Sequence, residues 1–187
     1  MGDIRTPVPV KLFCGILAAE AGLLPAARRA LADAYGALDH ASEPLPFEFT
    51  DYYGPEMGPR LLRQFVSFRN PIAPHRIAEI KRHTHALERD FAVERSGALC
   101  RRVNLDPGYL TPAKLVLATT KDFAHRICLD DGIYAEVTLN FDRYGCRFHP
   151  WTYADFRSEP CTRFFAALRQ EFMEQQKRAG PGDAAVA

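Results

Sequence analysis

The polar side chains able to move protons or hold an anion gather in three short stretches of this 187-residue chain. Lys121, His125 and Arg126 are three cations within six positions, and charge-assisted bonds to phosphate suit all three. Glu136 follows ten residues later. With Asp106 and Glu56 it supplies the carboxylates that could act as a general base or hold a cation. Lys114 and Asn104 add a further cation and an amide. Tyr52 and Tyr53 enter a Gly/Pro loop beside Asp51, and Trp151 sits in WTYADF, so these aromatics would wall a pocket or stack on a base or sugar. Lys121, His125 and Arg126 are expected to converge with Asp106, Glu136 or the 51–56 loop. No serine or cysteine lies beside an evident base, so no nucleophile can be named.

Each residue also has a plainer role. Asp106 would cap its own turn through an Asx bond. Arg126 and Glu136 would be a cross-strand ion pair. A lysine on an apolar helix must reach water, a partner or an anion. The His83-Thr84-His85 run with Glu88 is no metal motif, because side chains at i and i+2 of a helix diverge and cannot share an ion. Metal and cofactor stay unassigned.

These groups need a scaffold. An apolar run at 10–17 reads as a buried strand, and 25–35 as a helix stopped by Gly36. Residues 47–53 and 61–68 read as a hairpin around the loop 54–59. Pro71 and Pro74 open a helix to about residue 90, with Ile77, Ile80, Thr84, Leu87 and Phe91 as its buried stripe and His83 facing out. A strand is expected at 99–105, then a turn at Asp106-Pro107-Gly108.

Thr111-Pro112 reads as an N-cap and first turn, giving a helix over 112–122 with Lys114, Ala118, Lys121 and His125 on one face. A hairpin with the three-residue loop 130–132 would pair Leu129 with Ile133 and set Arg126 opposite Glu136. That register gathers Ile127, Leu129, Ile133, Ala135, Val137 and Leu139 on one apolar face. The last helix spans 161–177. The order strand, helix, strand, strand, helix, strand predicts an α+β fold with a ferredoxin-like βαββαβ core, extended by a helix, a β-hairpin and a C-terminal helix. One domain is expected over 8–178, with an extended lead-in at 1–7 and a disordered tail at 179–187.

Composition sets broad bounds. The 24 basic and 23 acidic residues leave a formal charge of +1, which argues against a strongly electrostatic nucleic-acid binder. Five scattered cysteines without a CxxC pair suit reduced thiols in the cytoplasm. No run of 18 apolar residues is present, so no membrane span is expected.

The segments FTDYYGPEMG (49–58), VNLDPGYLTPAKLVLATTKDFAHRI (103–127), DGIYAEVTL (131–139) and WTYADFR (151–157) together resemble an uncharacterised bacterial family, domain of unknown function 4416 (DUF4416). The resemblance implies a cytoplasmic bacterial protein with no assigned activity. Some similar proteins carry a GTP-binding label, but this chain has neither a GxxxxGK[ST] P-loop nor an NKxD guanine reader.

The first functional expectation is an enzyme acting on a phosphorylated or nucleotide-like small molecule. Lys121, His125 and Arg126 would hold the anion, and Glu136, Asp106 or Glu56 would act as base. The alternatives are a non-catalytic nucleotide- or RNA-binding module, which would lack the RNP1 pattern, or a scaffold in a bacterial assembly. A deep pocket would favour the enzyme, and a flat basic-aromatic sheet would favour RNA.

Overall fold

The computed structural model describes residues 2–179. The tail expected to be disordered falls largely outside them. The chain folds as a mixed α+β protein around a large antiparallel sheet. The strands are β1 (Lys11–Ala18), β2 (Leu38–Ala41), β3 (Leu45–Phe47), β4 (Leu61–Phe68), β7 (Val103–Leu110), β8 (Lys114–Thr119), β9 (Ile127–Asp130), β10 (Ile133–Asp142) and β11 (Gly145–Phe148). The order across the sheet is β11-β10-β8-β7-β1-β4-β2, with β3 also on β4 and β9 on β10. A separate small hairpin joins β5 (Val93–Arg95) to β6 (Ala98–Cys100).

Helices α1 (Leu24–Tyr35) and α3 (Ile77–Asp90) cover one face. There Leu12, Ile16, Val66 and Leu105 pack against Leu31, Ile77 and Ile80. Helix α4 (Glu159–Ala179) covers part of the other face, where Phe13, Phe65, Leu110 and Leu115 meet Phe165, Leu168 and Phe172. Burial on both faces makes β1 apolar at every position except Lys11, which pairs with Asp39. Leu87 and Phe91 are only partly buried, so Ile80 is the sharper test of the α3 stripe. Ile80→Ala should lower unfolding free energy by about 2–5 kcal/mol in urea titrations. A loss under about 1 kcal/mol would mean that this face is not core. His83 is exposed and meets the Tyr35 hydroxyl at 3.0 Å.

Several expectations are overturned. Residues 112–122 form no helix: they carry strand β8. Leu115 and Leu117 point to α4, while Val116 and Ala118 point to the opposite core, so a strand buried on both faces has the all-round apolarity of a buried helix. Lys114, Ala118, Lys121 and His125 therefore share no helical face. Thr111-Pro112 belongs to a β7–β8 turn closed by the Thr111 N–H to Lys114 carbonyl bond, and the Thr111 hydroxyl accepts from the Ala113 and Lys114 N–H groups.

Asp106-Pro107-Gly108 is no turn but the middle of β7, opposite Gly15, Cys14 and Phe13. The expected strand at 99–105 is divided between β6 and β7. Of the strand expected at 47–53 only Phe47 pairs with β4, as the last residue of β3, whose Leu45 and Pro46 lie before the expected start. The chain then bends into the four-residue helix α2 (Gly54–Met57), stopped at Gly58 with φ 91°. Strand β2 was not foreseen.

In the β9–β10 hairpin Asp130, not Leu129, pairs with Ile133. Gly132 takes φ 67°, Leu129 is left as a bulge, and the expected Ile127–Ala135 pairing returns beyond it. Ile127 and Leu129 are exposed, since β9 lies at the rim. A second bulge between Val137 and Leu139 shifts the register, so Leu139 and Phe141 join Glu136 on the α4 side. No helix among the described residues is long and apolar enough to cross a membrane.

Candidate active site

The β7–β8 pairing covers only Gly108↔Leu117, Tyr109↔Val116 and Leu110↔Leu115. Toward its start, β7 keeps β1 on one side and loses β8 on the other, so the sheet opens along a seam. Two side chains of α3 fill the vacant hydrogen-bonding positions. Glu88 Oε1 accepts from the Leu105 N–H at 2.7 Å, and Lys81 Nζ donates to the Leu105 carbonyl at 2.7 Å. Backbone groups alternate sides along an antiparallel strand. Pro107, two residues after Leu105, therefore turns its missing N–H toward the same seam, where no strand asks for it.

A cavity of about 400 Å³ lies at this seam. Arg63 (β4), Asn104 and Asp106 (β7), Leu117 (β8) and Glu136 (β10) line it from the sheet, on the side that α4 leaves uncovered. Lys81 and Glu88 reach in from α3, and Tyr52, Tyr53 and Tyr153 come from loops. Arg63 is buried and bridges two carboxylates: its NH1 is 3.1 Å from Asp106 Oδ2, and its Nε is 3.1 Å from Asp155 Oδ2. The guanidinium crosses over Gly15, where a Cβ would lie 3.0 Å from Arg63 NH1. A glycine inside an apolar strand is what lets the arginine pass. The rings of Phe47 and Phe65, 5.0 and 5.6 Å from its Cζ, flank it.

The carboxylates sit in opposed environments. Burial works to raise the Asp106 carboxyl, but Lys81, 3.7 Å away, and Arg63 overcome it and hold the group below the usual range. Burial pushes Asp155 up against the pull of Arg63. Burial likewise raises Glu88, against Lys81 and the Leu105 N–H. Environments that push paired carboxyls apart are how acid and base roles are divided.

Asp106 has a depressed folded pKa, so its contribution to stability is present above the unfolded value near pH 4 and is lost as pH falls through the folded value. About 26% of its side chain stays accessible, which moderates the magnitude. Asp106→Asn should destabilise the protein by about 1–3 kcal/mol at pH 7, and the gap should close below about pH 4. Urea titrations of both proteins at pH 7 and pH 3 would read this. A gap of equal size at both would assign the loss to packing.

Of the residues singled out from the sequence, Asp106, Asn104, Glu136, Lys121, Tyr52 and Tyr53 line this cavity. Lys121 Nζ stands 3.7 Å above the centre of the Tyr52 ring, joining two loops. His125 and Arg126 do not line it. They sit behind Glu136, whose Oε2 accepts from Arg126 Nε at 2.8 Å and lies 3.0 Å from His125 Nε2. Arg126 also donates to the Tyr153 hydroxyl and to the Lys121 carbonyl. Trp151 is stacked between His125 and His149, with centroids 4.8 and 4.7 Å away, and donates to the Val137 carbonyl.

Glu56 also lies outside the lining. It accepts from the Arg101 N–H, Nε and NH2, so it fixes Arg101 rather than facing the cavity. Lys114 is at the β7–β8 turn, at the opposite end of β8 from the cavity. Sequence reasoning missed Arg63, Lys81, Arg101 and Asp155 as lining residues, and treated Glu88 only as a partner for His85. His85 Nδ1 is 3.4 Å from Glu88 Oε2, and no group of three potential metal ligands forms among the described residues. The available signals were an arginine inside the apolar strand LLRQFVSF and a lysine and glutamate seven apart on the stripe of α3.

The sequence profile described as "Domain of unknown function (DUF4416)" matches residues 8–172, nearly the whole chain. The chain belongs to the DUF4416 family. No curated protein and no solved structure matches it. Within this DUF4416 chain the matched span holds every cavity-lining residue, from Phe47 to Phe156.

Proposed function

We propose that this DUF4416 protein is an enzyme acting on a phosphorylated or nucleotide-like small molecule by acid–base chemistry in the seam cavity. One observation carries the reading: the buried Arg63 bridges the half-buried Asp106 and the buried Asp155 carboxyls inside a cavity of about 400 Å³, a size that suits a small-molecule ligand. Asp106, held ionised, serves as the base, and Asp155, whose proton is retained to higher pH, serves as the acid. Lys121 offers the anion contact. Among the described residues it is the lining Lys or Arg with no carboxylate within 4.0 Å, whereas Arg63, Lys81 and Arg101 are paired.

The test is a thermal-shift screen with nucleoside monophosphates and sugar phosphates. A ligand at 100 times its Kd should add about 2.7 kcal/mol of apparent stability. Lys121→Ala should abolish that gain while leaving the melting temperature of the free protein nearly unchanged. If no phosphate-bearing compound raises the melting temperature, the reading fails.

A second reading is non-catalytic binding of the same ligand. What favours it is that no lining residue is a cysteine or serine. Recovery of the bound compound unaltered after prolonged incubation would select it. We also infer a ferredoxin-like core. Adjacent strands β7-β1-β4-β2, all antiparallel, with α1 and α3 on one face, support it. Five free thiols support a reducing, cytoplasmic setting.

A further inference from the structure

A second, smaller cavity of about 170 Å³ abuts the first. The two share Phe49, Arg63 and Asp155 as lining residues. Beyond that wall the smaller cavity is mostly apolar, formed by Leu45, Pro46, Pro160 and Cys161 with the single hydroxyl of Ser158. The main cavity differs, because charged groups and tyrosines dominate its walls.

The wall itself is not fully satisfied. Asp155 is buried and its Oδ1 accepts from the Phe156 N–H, but Oδ2 has no hydrogen-bond partner. Arg63 Nε, 3.1 Å from that oxygen, also lacks a hydrogen bond, because the ion pair is out of line. A buried oxygen left without a donor costs free energy unless something supplies one. Asp155 lines both cavities.

We infer that the ligand has two parts: a polar body in the main cavity and a short apolar substituent in the smaller one, passing beside Asp155 in the wall that the two share. The substrate class is thus an alkylated small molecule rather than a bare sugar phosphate. A dry cavity of about 150 Å³ accommodates a six-carbon ring, so the substituent has room for about six carbons. This deepens the acid–base reading, since it rests on the main cavity being a ligand site and puts Asp155 at the branch point.

The test uses N-alkylacetamides from N-methyl to N-octyl. They carry one N–H donor and no phosphate, so their failure is separable from failure of the phosphate screen. Titrations on uniformly labelled full-length protein, followed by amide chemical shifts, should show Kd tightening about fourfold per methylene until the chain reaches about six carbons. The shifts should centre on Ser158 and Cys161. Leu45→Trp, which intrudes on the smaller cavity alone, should flatten the chain-length series and leave the N-methyl compound unchanged. The wild-type series decides the matter without the variant. Affinity that does not rise with chain length, shifts that centre elsewhere, or no binding by any member overturns the inference.

Discussion

Arg63→Met will lower the unfolding free energy by about 3–5 kcal/mol at pH 7, because it leaves the Asp106 and Asp155 carboxyls facing a neutral side chain in a buried site. Methionine keeps most of the packing against Phe47 and Phe65, so the loss reports the charge. The physical basis is asymmetry: a complete buried ion network is nearly neutral for stability, whereas one with a member deleted is costly. Adding Asp106→Asn and Asp155→Asn to Arg63→Met should restore most of the loss, which simple loss of packing would not allow. Urea titrations of the single and triple variants read both quantities. A loss under about 1 kcal/mol would show that Arg63 does not hold these carboxylates together.

Gly108→Ala should be nearly as damaging, through sterics alone. An added Cβ would lie 2.4 Å from the Val116 carbonyl oxygen and 2.5 Å from Phe13 Cζ. The first neighbour is backbone and cannot swing aside. Gly108↔Leu117 is the last pair before the sheet opens, so the strain falls where β7 and β8 are held by only three residue pairs. We expect a loss of about 3 kcal/mol, at the upper end for overpacking, with the seam widened toward Asp106. Gly22→Ala is the control. Nothing lies within 4 Å of its added Cβ, and the change should be neutral or slightly stabilising, by up to about 1 kcal/mol. Equal effects at both positions would contradict this account.

Helices α1, α3 and α4 and strands β1 and β4 were legible in the sequence because each has a period, an apolar run or a stop signal of its own. Gly36 ends α1 with φ 94°, and Ile77 and Ile80 mark the buried side of α3. Strand β8 was not legible, since covering both faces erases the alternation that identifies a strand. Asp106-Pro107-Gly108 carries every local mark of a turn. Only the long-range seam, where α3 replaces a neighbouring strand, makes that tripeptide acceptable as extended chain.

The same distinction governs the cavity. Residues clustered in the chain around 121–136 do come together, with Arg126 and His125 on Glu136. Arg63, Lys81 and Asp155 come from β4, α3 and the segment before α4, and only the sheet order makes them neighbours. Glu56 looked like a free carboxylate in a loop. Its partner Arg101, 45 residues away, is what takes it out of the cavity.

The seam gives one backbone amide an unusual guardian. Most amides in the sheet are shielded from deuterium exchange by a neighbouring strand, and open only when that strand peels away. The Leu105 N–H is shielded by the carboxylate of Glu88 instead. Its exchange rate is therefore a readout of one side chain rather than of the sheet. Anything that draws Glu88 toward the cavity, or protonates it, should unmask a single amide while its neighbours on β7 stay protected.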